Sequence, residues 1–265
     1  MIHRNINTIV FDMDGVLYIG SRLVPGTSGV MAHLRTRRLR IGFCSNNSSK
    51  SRRDYVEKLA AMGIESEEKE IVNSAFATAM YLKENNRIPC RVYVIGGKGL
   101  LAELSAAGAE IADSGGPGVD FVVVGFDKDF TYNKLMEGFR ALQNGAEFIA
   151  TNRDATLPLE DGIHPGSGSM VAALETAIGR SPLVIGKPSP YSLLRLVEQL
   201  DGEPATTMMV GDRLETDILA GKEAGMMTTL VLTGVSTREM AESADASMRP
   251  DCIIESVASL PDVLA

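Results

Sequence analysis

Short apolar runs alternate with helical patterns along nearly the whole chain, and this alternation constrains the fold most strongly. Several runs, such as Val92–Ile95 and Phe121–Val124, are apolar at every position rather than at every second one. Strands buried on both faces of a parallel sheet have this character. The predicted strands are Thr8–Phe11, Ile41–Cys44, Val92–Ile95, Phe121–Val124, Phe148–Ala150, Leu183–Ile185, Thr207–Val210 and Thr228–Leu232.

Helical patterns fill the stretches between these strands. Val30 and Leu34 lie four residues apart, and the other predicted helices are Ser51 to Met62, Ala75 to Leu82, Leu135 to Leu142, Met170 to Ile178, Tyr191 to Leu200 and Ile218 to Ala224. Strands that alternate with helices predict an α/β fold with parallel sheets and right-handed crossovers.

The number of strands indicates more than one sheet. The stretch Arg87–Ser181 contains strand–helix units of its own, interrupted by glycine-rich segments at 114–118 and 165–169. We therefore expect two domains: a discontinuous core formed by residues 1–84 and 183–265, and an inserted α/β domain formed by residues 85–182.

The overall charge and the cysteines exclude several classes of protein. The net charge of the 265-residue chain is −8, which argues against broad nucleic-acid binding because that binding depends on Lys and Arg. The basic stretch at 36–40 is interpreted as a solvated helix end. The three cysteines form no CxxC pair, so neither a disulfide framework nor a structural zinc site is expected. The N-terminus has no signal-peptide or membrane-span pattern, and we expect a cytoplasmic protein.

Two acidic motifs directly follow predicted strands. Asp12 and Asp14 belong to DMDG after the strand TIVF, and Asp212 and Asp217 belong to GDRLETD after TTMMV. Ligands of open α/β sheets bind beyond the carboxyl ends of the strands. Carboxylates gathered there, without His or Cys, form a hard oxygen site that suits Mg²⁺. Each motif alone is also compatible with a turn or a helix cap.

Two further polar motifs also follow predicted strands. Ser45, Asn46 and Asn47 belong to SNNSS, whose hydroxyl, amide and main-chain donors suit a phosphate oxygen. Lys187 belongs to GKP and would neutralise a phosphoryl group at the same edge of the sheet. Taken alone, either motif is more typical of an ordinary turn.

In this order and spacing, the four motifs resemble those of the haloacid dehalogenase superfamily of phosphohydrolases. The segments TNRD at 151–154, PGSGS at 165–169 and GKPSPY at 186–191 look like the NagD and p-nitrophenyl phosphatase branch. This resemblance covers nearly the whole chain. It implies a Rossmann-like, doubly wound parallel-sheet core and identifies the inserted domain as a large α/β (C2-type) cap.

The resemblance also implies a Mg²⁺-dependent phosphatase that acts through an aspartyl-phosphate. Asp12 would be the nucleophile and Asp14 the general acid and base. Asp12, Asp212 and the Asp14 carbonyl would hold Mg²⁺, with Asp217 in the metal shell. The phosphate would contact Ser45, Asn46, Asn47 and Lys187, with Lys187 also stabilising charge in the transition state.

The cap is expected to recognise the substrate, and the best candidate for this contact is the segment Thr151–Ser169, interpreted as a loop. An ordinary surface loop is the open alternative for this segment. Its candidate residues are Arg153, Asp154, Leu157, Asp161 and His164. Leu157 stands where family members that act on pyridoxal phosphate tend to have a His, which disfavours that substrate. The segment IGGKG at 95–99 lacks the P-loop spacing and is interpreted as a tight strand-to-helix turn. The family analogy suggests a homodimer formed through the caps.

Several alternatives remain open at this stage. A phosphotransferase or mutase relative is disfavoured because the stretch after the first motif is too short for a small cap. A receiver-like signalling module or another non-catalytic phosphate-binding module is disfavoured by the length and by the intact carboxylates. The physiological substrate is unassigned among sugar phosphates, phosphoglycolate, glycerol phosphate and nucleoside monophosphates. No nucleic acid or membrane partner is expected.

Overall fold

The computed structural model describes residues 6–159 and 162–264. The strands are β1 (Thr8–Phe11), β2 (Tyr18–Ile19), β3 (Arg22–Leu23), β4 (Arg40–Ser45), β5 (Ile71–Asn73), β6 (Arg91–Ile95), β7 (Glu110–Ile111), β8 (Phe121–Val124), β9 (Glu147–Ala150), β10 (Thr156–Leu159), β11 (Gly162–Pro165), β12 (Leu183–Val184), β13 (Thr207–Gly211), β14 (Met227–Val231) and β15 (Cys252–Ile254). No helix in this part of the chain is long and apolar enough to cross a lipid bilayer.

The helices lie mainly between consecutive strands of the two large sheets. They are α1 (Thr27–Thr36), α2 (Arg52–Ala61), α3 (Ser74–Glu84), α4 (Lys98–Ala107), α5 (Tyr132–Gln143), α6 (Ser167–Ile178), α7 (Tyr191–Gln199), α8 (Leu219–Glu223), α9 (Arg238–Ser243) and α10 (Leu260–Val263). Side-chain caps fix several helix starts, because Ser51, Asn73 and Thr131 each accept a hydrogen bond from a main-chain amide in the first turn.

The first sheet has six parallel strands in the order β15-β14-β13-β1-β4-β5. Successive residues of β1 are buried on opposite faces. Ile9 and Phe11 pack with α1 and α2, whereas Val10 packs with α3 and α7. Helices therefore cover both faces of this sheet, which confirms the predicted doubly wound α/β architecture and explains why its strands are apolar throughout.

The second sheet has five parallel strands in the order β12-β9-β8-β6-β7. Val122 and Val124 of β8 pack with α5 and α6 on one face, and Val123 packs with α4 on the other. The short edge strand β12 was expected to open the returning core segment, but it pairs with β9 of this second sheet. The sheet therefore extends to Val184, two residues beyond the expected limit of the insertion.

One hydrophobic cluster joins the two sheets. It contains Val10 and Val72 of the first sheet, Val123 of the second, and buried residues of α3, α4 and α7 between them, among them Leu82, Leu104 and Leu193. The two sheets therefore share part of a core and are not connected by chain crossings alone.

The predicted loop at Thr151–Ser169 is wrong for its central part. Residues Thr156–Leu159 and Gly162–Pro165 form the antiparallel hairpin of β10 and β11, in which Leu157 pairs with His164. The Asp161–Gly162 dipeptide is a common hairpin signal, although Asp161 itself lies outside the described residues. The last residues of the segment, from Ser167, begin α6.

The glycines of IGGKG allow a close approach of the α4 N-terminus to the loop after β4. The Gly99 amide donates to the Ser49 carbonyl at 3.2 Å. A Cβ on Gly99 would lie 2.2 Å from the main-chain carbon of Lys50. The interpretation of this segment as a strand-to-helix turn is confirmed, since β6 ends at Ile95 and α4 begins at Lys98.

We predict that Gly99→Ala lowers the free energy of unfolding by about 1–3 kcal/mol, because the new methyl group meets main-chain atoms that cannot move independently. Gly29→Ala is the matched control: Gly29 also lies in a helix, and its added Cβ meets no atom within 4 Å. The control should be neutral or stabilising by about 0.5–1 kcal/mol. Urea unfolding of both variants checks the prediction, and equal stabilities would contradict it.

Candidate active site

The four predicted motifs meet at the carboxyl edge of the first sheet. Asp12 follows β1, Ser45 ends β4, and Asp212 follows β13; these are neighbouring strands. Lys187 reaches the same place from the loop after β12. Because the strands are parallel and adjacent, residues that are far apart in the chain line one cavity of about 50 Å³.

A buried lysine holds two of the carboxylates together. Lys187 Nζ lies 2.6 Å from Asp12 Oδ1 and 2.6 Å from Asp217 Oδ1, and donates a third hydrogen bond to the Cys44 carbonyl at 3.2 Å. The lysine is 1% exposed. Burial disfavours its ammonium, but the two carboxylates outweigh burial and raise the pKa of Lys187. The side chain is therefore a fixed cation.

Asp217 is engaged on both of its carboxylate oxygens. Oδ1 accepts from Lys187, and Oδ2 accepts from the main-chain amides of Asp212 and Arg213, both at 3.1 Å. Gly211 makes room for this carboxylate, since a Cβ there would lie 2.2 Å from the Cβ of Asp217. Asp217 therefore fixes both the lysine and the turn that carries Asp212.

A loop that the sequence analysis did not single out positions Asp212. The Val235 amide donates to Asp212 Oδ2 at 2.8 Å, and the Ser236 amide donates to the Asp212 carbonyl at 3.0 Å. A Cβ on Gly234 would lie 1.9 Å from Asp212 Oδ2. The loop follows the apolar strand β14, and this position in the sequence could have predicted its place at the site.

Asp14 lies in a turn closed by Tyr18. The Tyr18 hydroxyl donates to Asp14 Oδ2 at 3.5 Å, and the Gly15 amide donates to the Tyr18 carbonyl at 2.8 Å. The Lys58 ammonium lies 3.6 Å from the centroid of the Tyr18 ring. Burial raises the pKa of Asp14, and Lys58 and the Tyr18 hydrogen bond oppose that rise.

Burial and neighbouring negative charges make Asp12 and Asp212 resist ionisation. Burial raises the pKa of Asp12; Lys187 lowers it, and the charges of Asp217 and Asp212 raise it further. Burial and the Asp217 charge raise the pKa of Asp212 to about 7. A divalent cation beside these groups would reverse both shifts by favouring the ionised forms.

The cluster fits a hard divalent cation. Asp12, Asp212 and Asp217 each offer a ligand oxygen, and these oxygens lie within 4.8 Å of one another. Within the described residues, the hydrogen bonds use Asp12 Oδ1 and Asp212 Oδ2, which leaves the second oxygen of each carboxylate available. Oxygen ligands without His or Cys suit Mg²⁺ rather than Zn²⁺.

The three residues of the SNN segment differ in their availability to a phosphate. Ser45 Oγ accepts from the Asn47 amide at 3.1 Å, and its hydroxyl also lies beside that of Tyr55. Asn47 Oδ1 accepts from the Ser49 amide. The Asn46 side chain is fully used: its Nδ2 donates to Asp154 Oδ1 and the Lys187 carbonyl, and its Oδ1 accepts from the Lys187 amide.

Asn46 is the centre of a polar network that links the two sheets. Asn152 Nδ2 donates to the Asn46 carbonyl at 2.6 Å, and Asn152 Oδ1 accepts from the Asp154 amide and from the Ser167 hydroxyl. Neither Asn152 nor Ser167 was predicted as a site residue, although they lie in the segments TNRD and PGSGS that carry the family resemblance.

The candidate residues of the hairpin segment fall in different places. Asp154 and Leu157 line the cavity beside Asp12. Arg153 is exposed and forms an ion pair with Glu175, away from that cavity. His164 lies on β11 opposite Leu157 and is not among the residues that line the cavity.

The sequence matches known families over most of its length. A model described as haloacid dehalogenase-like hydrolase matches residues 9–110, and a related model of HAD-like hydrolases matches residues 184–260. Mouse (Mus musculus) chronophin is 40% identical over 97% of this chain and 92% of its own length. The chain belongs to the haloacid dehalogenase-like hydrolases. The four-motif resemblance is thereby confirmed.

Further relatives have names that state an activity. Glycerol-3-phosphate phosphatase of Gallus gallus is 39% identical over 97% of this chain and 91% of its own length. Phosphoglycolate phosphatase 2 of Arabidopsis thaliana is 40% identical over 97% and 92%. The chain is an enzyme of the same family, a phosphoric monoester hydrolase.

Solved structures agree with this assignment. The p-nitrophenyl phosphatase from Archaeoglobus fulgidus superimposes with a TM-score of 0.90 at 33% identity, covering 98% of this chain and 100% of its own. Glycerol phosphate phosphatase from Mycobacterium tuberculosis, solved with magnesium, has a TM-score of 0.90 at 33% identity, covering 97% and 76%. The fold is that of the p-nitrophenyl phosphatase branch.

We predict that Lys187→Met, without metal at pH 7.5, lowers the free energy of unfolding by about 3–5 kcal/mol, because two buried carboxylates lose their cation. The loss should shrink at pH 5.5, since burial raises the pKa of Asp12 and its carboxylate can then bind a proton in the folded state. Lys222→Met is the matched control, because its partner Asp251 is half-exposed, and should cost less than about 1 kcal/mol. Urea unfolding in a chelator measures both; equal losses would contradict the prediction.

Proposed function

We propose that this enzyme hydrolyses small phosphate monoesters with Mg²⁺ through a phosphorylated Asp12. The observation that carries the proposal is the buried unit of Lys187, Asp12 and Asp217 at the carboxyl edge of the sheet. It provides a fixed carboxylate nucleophile, and the fixed cation lies directly beside it.

The Asp12 oxygen that faces the cavity would attack phosphorus and displace the alcohol of the ester. Its other oxygen is held by Lys187 at 2.6 Å, so the nucleophile is oriented before the substrate arrives. The Ser45 hydroxyl and Lys187 would stabilise charge on the phosphoryl oxygens, and Asn47 lines the same cavity. The Asn46 side chain would support Lys187 rather than contact the phosphate.

Asp14 would act as general acid and then as general base. Its pKa is raised by burial, which favours a carboxyl group able to protonate the departing alkoxide. The same carboxylate would then take a proton from the water that cleaves the Asp12–phosphate bond. The Tyr18 hydroxyl would hold Asp14 in the orientation for both steps.

The proposed metal ligands are the carboxylates of Asp12 and Asp212 and the main-chain carbonyl of Asp14, with Asp217 as a support. Bound Mg²⁺ would neutralise the phosphate dianion in a cavity lined by carboxylates. The magnesium in the related Mycobacterium tuberculosis phosphatase supports this choice of ion.

We also propose that the second sheet and its helices form the cap, with residues 1–84 and the chain after Val184 as the core. The position of Asp154 and Leu157 in the catalytic cavity supports a role of the cap in substrate contact.

The substrate would be a small phosphorylated metabolite, with no nucleic-acid or membrane partner. A homodimer through the cap stays a prediction. The three free thiols support a reducing, cytoplasmic setting.

We predict Mg²⁺-dependent release of phosphate from p-nitrophenyl phosphate, lost in excess chelator and restored by Mg²⁺. Asp12→Asn should lower the rate by roughly 10³-fold or more, because an amide is a poor nucleophile. Asp245→Asn, at an exposed position, is the control and should keep the wild-type rate. Turnover that persists in the Asp12 variant or in chelator would reject the mechanism.

We predict that Asp14→Asn separates the two chemical steps. p-Nitrophenolate leaves without a proton, so phosphorylation of Asp12 should continue while hydrolysis of the phosphoenzyme slows by about 10²–10⁴-fold. Stopped-flow absorbance should show a rapid burst of nitrophenolate followed by slow turnover. An alkyl phosphate, whose leaving group needs the proton, should give no burst. Equal effects on both substrates would argue against Asp14 as the general acid.

A further inference from the structure

Helix α2 packs against the loops that follow β1 and β4, although none of its residues lines the catalytic cavity. The start of the helix is fixed by a capping box, in which Ser51 and Asp54 each accept from the other's main-chain amide. One turn further on, the Tyr55 side chain is buried, and its hydroxyl donates to the Asn47 carbonyl at 3.4 Å. The helix is therefore anchored against one of the catalytic loops.

Lys58 is a second residue of α2 that reaches the catalytic loops. It follows Tyr55 by three residues and therefore lies on the same face of the helix. Its ammonium lies 3.6 Å from the centroid of the Tyr18 ring. A cation within about 6 Å of a ring centroid is attracted by the electron-rich face of the ring, most strongly where water is excluded. Because Tyr18 is fully buried, this contact holds its ring in one position.

Tyr18 connects the cation of Lys58 to Asp14. The main chain of Tyr18 is fixed, because its amide donates to the Met13 carbonyl at 3.3 Å and its carbonyl accepts from the Gly15 amide at 2.8 Å. The Tyr18 hydroxyl donates to Asp14 Oδ2 at 3.5 Å, beyond the usual range of about 2.5–3.0 Å for such a bond. A bond of this length tightens or breaks with a small shift of the ring.

The orientation of Asp14 matters because its carboxyl group has to serve two steps of the proposed mechanism. Each proton transfer requires the carboxyl oxygen to lie within about 2.6–3.2 Å of its partner, and such bonds often tighten only when substrate is bound. Within the described residues, the Tyr18 hydroxyl is the one hydrogen-bond partner of the Asp14 carboxylate. The position of the Tyr18 ring therefore decides how Asp14 is held.

We propose that Lys58 is a positioning residue of this enzyme. Its contact with the ring face holds Tyr18 against Asp14, and so keeps the general acid and base oriented for proton transfer. Lys58 acts here without touching the substrate or the metal. The inference rests on the proposed phosphatase mechanism and adds to it a residue outside the four motifs.

The test measures kcat/KM of Lys58→Met on two esters with Mg²⁺ at neutral pH. One is p-nitrophenyl phosphate, and the other is an alkyl phosphate that the wild type hydrolyses, such as glycerol 3-phosphate. This parameter reports release of the alcohol, and nitrophenolate leaves without a proton, so the first value should stay within about twofold of the wild type. The value for the alkyl ester should fall by about three- to tenfold, the size of one contact between a cation and a ring.

Further variants test whether the cation acts through the ring. Lys58→Arg keeps a cation that can stack on Tyr18, and should keep both values within about twofold of the wild type. Tyr18→Phe keeps the ring but loses the hydroxyl, and should lower the alkyl-ester value by about tenfold, the size of a hydrogen bond to a charged group. Adding Lys58→Met to Tyr18→Phe should then cause no further loss, since no hydroxyl remains to be held.

Arg53→Met is the matched control. It removes an exposed cation from the same helix and should change neither value. Lys58→Gln replaces Lys58→Met if that variant folds poorly, and should give the same selective loss because its amide carries no charge.

The outcomes separate this inference from the proposed function. Equal losses on the two esters, or no loss on either, would overturn the inference alone, since a purely structural role does not distinguish leaving groups. So would the same loss from Lys58→Met with and without the Tyr18 hydroxyl, because Lys58 would then act on Asp14 by charge alone. A wild type that hydrolyses neither ester with Mg²⁺, or an Asp14→Asn variant that does not distinguish them, would reject the proposed function and the inference with it.

Discussion

One buried ammonium, that of Lys187, fixes the arrangement of the active site at the carboxyl edge of the first sheet. Lys187 is covered from solvent and bridges Asp12 and Asp217 with two short hydrogen bonds. Removing the lysine would leave two buried carboxylates without their cation, which is far more costly than losing a surface ion pair. Asp217 also accepts hydrogen bonds from the main-chain amides of Asp212 and Arg213. Lys187 therefore positions both the nucleophile and the turn that carries Asp212.

The lysine itself depends on the second sheet. The side-chain amide of Asn46 donates to the main-chain carbonyl of Lys187 and accepts from its main-chain amide. Asn46 is in turn hydrogen-bonded to Asp154 and Asn152, which follow β9. The catalytic cation is therefore positioned by residues of the inserted segment as well as by the first sheet. Substrate contacts at Asp154 would be transmitted to Lys187 through a single side chain.

Much of the fold was predictable because fully buried parallel strands are apolar at every position, as Phe121–Val124 is. The three-residue β5 was missed because so short a strand carries little periodicity. The hairpin at 156–165 was missed because its strands, TLPL and GIHP, contain Pro, Gly and polar residues and no continuous apolar run. At the site, the sequence placed Asp12 and Lys187 in sequence motifs but could not show which of their neighbours were already paired. Asn46, expected beside the phosphate, has its side-chain donors and acceptor committed to Lys187 and Asp154.

The hairpin of β10 and β11 pairs with neither large sheet, and among its described side chains that of Leu157 alone packs against a hydrophobic cluster. Substitutions there avoid the buried contacts that set global stability. Substitutions in the hairpin can therefore change the substrate preference with little loss of stability, because the lysine, the carboxylates and both sheets stay unchanged. Relatives that act on different esters would therefore differ in sequence mainly in such a segment, and less at the carboxyl edge of the first sheet.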